Sequence, residues 1–275
     1  MLMYLRPLLV GLPLLAGLSG WVAIPNTAAA KEFSEFSRDE ALAHSQGAIG
    51  ATLQGVELTR SDGSAVDISD YRGKPLVISM IYSSCHHVCP STTQNLQQVV
   101  DKARSALGDD SFQVLSVGFD TANDSPERMA EFKTRTGVNE EGWDFLAGDA
   151  NAMSSLVEQL GFIYYPSAKG FEHLVQASVI DAEGVIYRQV YGMTFPTPAL
   201  VEPLKQLVFG QPSAPSALDY LGNRIRLFCT VYDPATDSYQ IDISVFIGTF
   251  VGLVVSIVFA RVLVKEWRRS IEADQ

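Results

Sequence analysis
At 275 residues, 47% apolar and 19% charged, the chain is long enough to bury one good core and still spare residues for membrane segments. A formal net charge of −11 argues against a nucleic-acid partner, because phosphate binding needs basic surface. Three cysteines and four histidines are the whole supply of soft and imidazole ligands.

Residues 1–30 read as a targeting segment. Arg6 precedes an uncharged stretch over 7–24, and Ala28, Ala29 and Ala30 place small residues where a signal peptidase cuts. The stretch is long for a signal core, so a retained N-terminal anchor stays open beside cleavage after Ala30. Either way, the residues that follow are expected to be exported.

Residues 56–60 and 65–68 flank Ser61, Asp62, Gly63 and Ser64 as a hairpin. An unbroken apolar run over 75–82 reads as a buried strand and leads into Ser84-Cys85-His86-His87-Val88-Cys89-Pro90. Pro90 suits the first helical position, and a helix to about residue 106 puts Leu96, Val99, Val100, Ala103 and Leu107 on one side. Residues 112–118 are a second buried strand. Asp124, Ser125, Pro126 and Glu127 supply an acceptor cap, an early proline and a first-turn acid for a helix to about 136. A helix over 151–160 follows, then strands over 174–180 and 185–190 around an Asp181–Gly184 turn, and a helix over 197–208 that contains Pro203. Helix-linked strands with a closing hairpin and helix predict an α/β domain with a central mixed β-sheet flanked by helices.

Residues 211–216 read as a linker and 218–242, with Cys229, as a short stem. Residues 243–260 carry no charge, which is about the length needed to cross a bilayer's hydrocarbon core. Arg261, Lys265, Arg268 and Arg269 lie beyond it, and Asp233, Asp237 and Asp242 before it. The positive-inside rule then puts the C-terminal tail in the cytoplasm and the body outside it. In an exported compartment thiols are oxidised or metal-bound unless something keeps them reduced.

Cys85 and Cys89 at a strand exit are therefore the chemical centre. The residue before a proline avoids the α region, so Cys89 is expected at the helix cap, its sulfur facing unpaired amides that favour thiolate. Two thiolates and an imidazole suit copper, with zinc as competitor, and a disulfide-exchange site uses the same thiols. A plain structural disulfide would contribute little across so short a loop. His173 alone reads as a satisfied histidine at a strand edge. His86 and His87 read as exposed loop residues with an auxiliary-ligand role open, and His44 is assigned nothing.

The run from Gly73 through Tyr82, Cys85, Cys89 and Pro90 resembles the strand–CxxxCP–helix element of the Sco/SenC family. Residues 114–120 with Asp124–Glu127 resemble that family's second strand and its Asp/Pro loop, and residues 172–184 its distal histidine, strand and turn. The resemblance spans about 46–208 and implies a thioredoxin-like fold, copper held by Cys85, Cys89 and His173, and assistance in assembling the copper A centre of cytochrome c oxidase. It makes His173 an expected ligand and leaves Cys229 open as a buried, reserve or additional copper-binding thiol. The C-terminal span departs from the best-known members, which carry an N-terminal one.

The expected organisation is a signal peptide or anchor over 1–30, a thioredoxin-like copper-binding domain over 31–210, a linker and stem over 211–242, a transmembrane helix over 243–264 and a cytoplasmic tail over 265–275. Two functions compete. One is a periplasmic copper metallochaperone in the cytoplasmic membrane, with the copper-bearing oxidase subunit and a periplasmic copper donor or thiol reductant as partners. The other is a thiol–disulfide oxidoreductase that keeps the oxidase cysteines reduced through Cys85 and Cys89.

Overall fold
The computed structural model describes residues 37–210, 222, 225, 229–241 and 244–273. The expected targeting segment and the 211–216 linker lie outside the described residues. In chain order the described elements are α1 (Arg38–Gly47), β1 (Glu57–Arg60), β2 (Ala65–Asp67), a 3-10 turn (Ile68–Tyr71), β3 (Leu76–Ile81), α2 (Val88–Leu107), β4 (Gln113–Gly118), α3 (Pro126–Thr136), β5 (Trp143–Ala147) and α4 (Ala150–Gln159). They continue as β6 (Tyr164–Ser167), β7 (Gly170–His173), β8 (Gln176–Ile180), β9 (Ile186–Tyr191), α5 (Thr197–Phe209), β10 (Thr230–Asp233), β11 (Ser238–Ile241) and α6 (Ser244–Ala273).

A seven-stranded mixed sheet, ordered β2-β1-β5-β4-β3-β8-β9, is flanked by helices, as the strand–helix alternation predicts. β3 pairs parallel with β4 and antiparallel with β8. All six β3 residues are buried, which is why the run is continuously apolar rather than alternating. The amphipathic side of α2 buries Leu96, Val99, Val100, Ala103 and Leu107, and α2 packs on α5. α5 runs through Pro203, whose ring is buried in the core face.

Four elements depart from the sequence reading. β5 is a buried sheet strand pairing with β1 and β4 where no strand was expected. β6 and β7 form a separate hairpin in which Tyr164 pairs with His173. His173 thus ends β7 rather than preceding the next strand, and β8 starts at Gln176. α1 also forms, with Ser37 capping its N-terminus.

The described part of the expected stem, residues 229–241, contains a hairpin, β10–β11, docked on the body. Asp237 in its turn is ion-paired with Lys102 of α2 and accepts from Thr197 Oγ1 (2.7 Å) and Tyr232 Oη (2.8 Å). Lys102 first, then these hydroxyls, hold the Asp237 carboxyl down to about 2. Tyr239 Oη donates to Glu202 (2.9 Å) and Lys205 Nζ to the Thr230 carbonyl (2.7 Å), fastening the hairpin to α5. Cys229, at the start of this hairpin, is a buried free thiol. Among the described residues one helical segment, Phe246–Lys265, is long and apolar enough to cross a membrane, with mean hydropathy 2.4 and no part buried against protein.

Candidate metal centre
The register of the two central parallel strands brings their exits together: Ile81 of β3 lies opposite Gly118 of β4. Crevices at the carboxyl ends of adjacent parallel strands are where open α/β sheets place their chemistry. From β3 the chain passes Tyr82 and closes a turn in which the Cys85 amide donates to the Tyr82 carbonyl (3.1 Å). From β4 it passes Phe119 and Asp120.

Cys85 and Cys89 are both buried and both free thiols. The expected placement of Cys89 at the cap is not what forms. α2 begins at Val88, its cap residue His87 gives no side-chain bond, and Cys89 is already the second helical residue. The helix runs over Cys89 despite the preference of a pre-proline residue; Pro90 falls third in it, where a missing N–H breaks no intrahelical bond. The unpaired amides are met instead by Cys85, whose Sγ accepts from the Cys89 N–H at 3.2 Å. The thiolate role therefore moves from Cys89 to Cys85.

The electrostatics follow that geometry. The Cys89 thiol donating to Cys85 Sγ is the largest influence on Cys85 and outweighs its burial; the Cys89 amide, the Tyr82 hydroxyl and the His87 amide add to it. Together they hold Cys85 down to about 4. The same bond, with burial, pushes Cys89 far up, so Cys89 keeps its proton. Tyr82 rises to about 12, first by burial and then by its bond to Cys85. The pair is one thiolate solvated by a thiol, a phenol and backbone amides.

The β6–β7 hairpin supplies an aromatic wall. Gly170 opens β7 at φ +112°, and a Cβ there would stand 2.8 Å from Tyr82 Oη, so only glycine admits the approach. His173 is half-buried among Phe119 (5.3 Å between ring centroids), Phe162 (5.4 Å) and Tyr82 (6.2 Å, edge-on). Its Nδ1 lies 2.8 Å from the Leu174 carbonyl. A carbonyl only accepts, so Nδ1 carries the proton and Nε2 keeps the lone pair. Burial lowers the His173 pKa, with the Leu174 bond and the Cys85 charge opposing, which favours the neutral ligand form. The structure joins the two cysteines by hydrogen bonds and sets His173 in the wall within electrostatic reach of Cys85. Among the described residues no three His, Cys, Asp or Glu side chains already form a cluster able to hold a metal ion. His86 and His87 are exposed on the loop, and His44 is exposed on α1.

The sequence reading missed the role of Asp124. The cap of α3 is Ser125, whose hydroxyl accepts from the Arg128 amide. Asp124 is buried and reaches back instead, accepting from Ser83 N–H (2.8 Å) and Asp120 N–H (2.9 Å). Arg135 donates to the Ser83 carbonyl (2.8 Å) from the other side. The chain leaving β3 is thus latched to the chain leaving β4, directly before Cys85. Gly118 makes room, since a Cβ there would lie 2.7 Å from the Asp124 side chain. The spacing of Asp120 and Asp124 was the only available signal.

The donor set is chemically that of a soft-ion site: a thiolate, a neighbouring thiol and a neutral imidazole. It is equally that of a disulfide-exchange pair.

No curated protein matches the chain. A crystal structure of an Aquifex aeolicus VF5 protein is 24% identical, with TM-score 0.55, over 62% of this chain and 99% of that one. Arabidopsis thaliana ScoI with copper bound is 16% identical, with TM-score 0.50, over 57% and 99%. BsSco, described as a member of the Sco family of cytochrome c oxidase assembly proteins with a disulfide switch, is 17% identical, with TM-score 0.52, over 58% and 95%. These likenesses establish the shared fold. The SCO1/SenC family model matches residues 50–208, more than half of the sequence and all of the strand exits described above. The chain belongs to the SCO1/SenC family.

Proposed function
We propose that the protein is a membrane-anchored copper metallochaperone that holds copper with Cys85, Cys89 and His173 and passes it toward the copper A site of cytochrome c oxidase. The observation that carries the reading is the buried Cys85 sulfur, which accepts from the Cys89 N–H at 3.2 Å, with His173 in electrostatic reach and its Nε2 lone pair free. Copper in Arabidopsis ScoI and the oxidase-assembly description of BsSco support it. Copper is cargo here. Cys89 would lose its proton to solvent as the ion arrives, and the ion shared by the two sulfurs would replace the hydrogen bond between them. Release reverses this as an acceptor's thiols exchange in.

A second reading is favoured by the split acidities of the two thiols. In it Cys85 attacks a partner disulfide, giving a mixed disulfide and a partner thiolate. Cys89, once deprotonated, then displaces the second partner thiol, leaving the partner reduced and Cys85–Cys89 oxidised.

A paired measurement on His173→Ala separates them. Losing the imidazole should weaken copper by no less than the roughly 10–100-fold that an outer-sphere partner costs. Cu(II) should suffer more than Cu(I), which tolerates two sulfur ligands. The Cys85–Cys89 reduction potential should barely move. Unchanged copper binding with collapsed disulfide exchange would replace the chaperone by the reductase.

In this proposal the body lies outside the cytoplasmic membrane and the apolar part of α6 spans it. Charge asymmetry supports this, with Asp233 and Asp237 before the helix and Arg261, Lys265, Arg268 and Arg269 at its far end. A reporter active only in the periplasm should work when fused after Gln240 and be silent after Gln275. Activity at Gln275 would rule out a span.

A further inference from the structure
Cys85 and Cys89 are buried, whereas the three residues that join them, His86, His87 and Val88, are all exposed. This loop is therefore the solvent-facing surface covalently nearest to both sulfurs. Two of the chain's four histidines stand side by side on it. The His87 amide is committed to the Cys85 sulfur, but its ring, at the cap position of α2, makes no capping bond. Among the described residues neither imidazole has a hydrogen bond, an ion pair or a ring contact.

A ring that shaped the loop would be bonded to it, and these two are not. Imidazole nitrogen is a ligand for copper, and adjacent Cα atoms stand about 3.8 Å apart, so two unbonded rings can turn onto one ion. Copper bound there lacks a third protein ligand: among the described residues no three His, Cys, Asp or Glu side chains form a cluster able to hold a metal ion. Water fills the remaining positions, so the ion is weakly held and free to move on. Weak nitrogen ligation beside buried sulfur is what an entry site requires. His44 is exposed too, but on α1 and with no second histidine beside it in the sequence.

We propose that His86 and His87 form an outer, all-nitrogen copper site that captures the ion from solution and hands it to Cys85 and Cys89. The loading role rests on the chaperone reading. In the handover the imidazole nitrogens release the ion as the two sulfurs bind it. The Cys89 proton leaves to solvent, and the oxidation state of the copper is unchanged. Capture one residue away from Cys85 makes the second step intramolecular, which raises the local copper concentration at the sulfurs.

Two measurements on the full chain in detergent test it, both with Cu(II) chloride as the probe. At equilibrium the thiol-free C85S/C89S chain should show a Cu(II) electron paramagnetic resonance signal split by nitrogen, and it should lose that copper on gel filtration. Adding H86Q and H87Q should abolish the signal, whereas adding H44Q should leave it. Survival of the signal without His86 and His87, or its loss with H44Q, overturns the site. In the chain with its thiols intact, H86Q/H87Q should slow the growth of sulfur-to-copper absorption roughly ten-fold. The copper retained after gel filtration should be unchanged. An unchanged rate overturns the loading role. So does an equal slowing of Cys85 alkylation by iodoacetamide in the metal-free chain, because the pair would then act on the thiol and not on the ion. No sulfur-to-copper absorption in the parent would end the chaperone reading and the loading role together. The nitrogen signal of the thiol-free chain would still decide whether the outer site exists.

Discussion

The C85S/C89S double variant should lose all stable copper, falling from one ion per chain to none, while remaining folded. Neither hydroxyl is a soft ligand, and His173 alone leaves the ion to competing ligands. Serine is the appropriate replacement because Cys85 also serves as the acceptor for the Cys89 N–H at the start of α2. Alanine at Cys85 would add a structural cost of about 1 kcal/mol, typical of a lost helix cap. Metal analysis after gel filtration measures the loss, and full copper retention by the double variant would eliminate the site. The single variants assign the charge. Thiolate ultraviolet absorbance of the metal-free parent should persist as pH falls until about 4, and C85S should abolish that low-pH absorbance. The folded pKa of Cys85 lies below its ordinary value of 9.0, so its contribution to stability is full above that value. It is lost as pH falls toward about 4, and the C85S chain should lack that slope.

Asp124→Ala should be the most damaging change outside the thiols. Two buried amides, Ser83 and Asp120, would lose their acceptor together. At roughly 1–3 kcal/mol for each unsatisfied buried group, the cost is about 2–6 kcal/mol, a large part of a domain's whole stability. Urea denaturation of the metal-free chain measures it, and an unchanged midpoint would show that the latch carries no weight. Asp124→Asn keeps one oxygen and should cost less. Burial raises the Asp124 pKa, so the folded state holds that proton more tightly than the unfolded state. Its charge therefore disfavours folding as pH rises through the folded value, and the neutral amide escapes that cost. Because Ser83 precedes Cys85 by two residues, the alanine variant should also weaken copper.

Local pattern determined a great deal. The continuous apolar run before Cys85 reads as a strand buried on both faces, and the 3.6-residue spacing of Leu96, Val99 and Val100 as one side of a helix; both form. The uncharged stretch near the C-terminus is a single long helix because nothing in it ends one. β5 was not legible: it is a short apolar run between Gly142 and Gly148, and its identity as a strand comes from pairing with β1 and β4, distant in sequence. The β6–β7 hairpin escaped for the same reason, and with it the aromatic surroundings of His173.

The sequence alone determined which residues are the candidates for the chemistry, since thiols and imidazoles are so few and two thiols follow a buried strand. Only the tertiary structure decided what each one does. Which sulfur ionises depends on where the free N–H groups at the start of α2 point, and they point at Cys85, with the Cys89 thiol and the Tyr82 hydroxyl beside them. Which nitrogen of His173 is left bare depends on a carbonyl one residue away folding back onto Nδ1. Asp124 holds the loop rather than capping its helix because the β3–β4 register brings Ser83 beside it. Of these contacts only that of Asp124 with Ser83 joins distant segments of the chain. The others are between near neighbours, but they depend on how the backbone folds at that point, which no local residue pattern encodes.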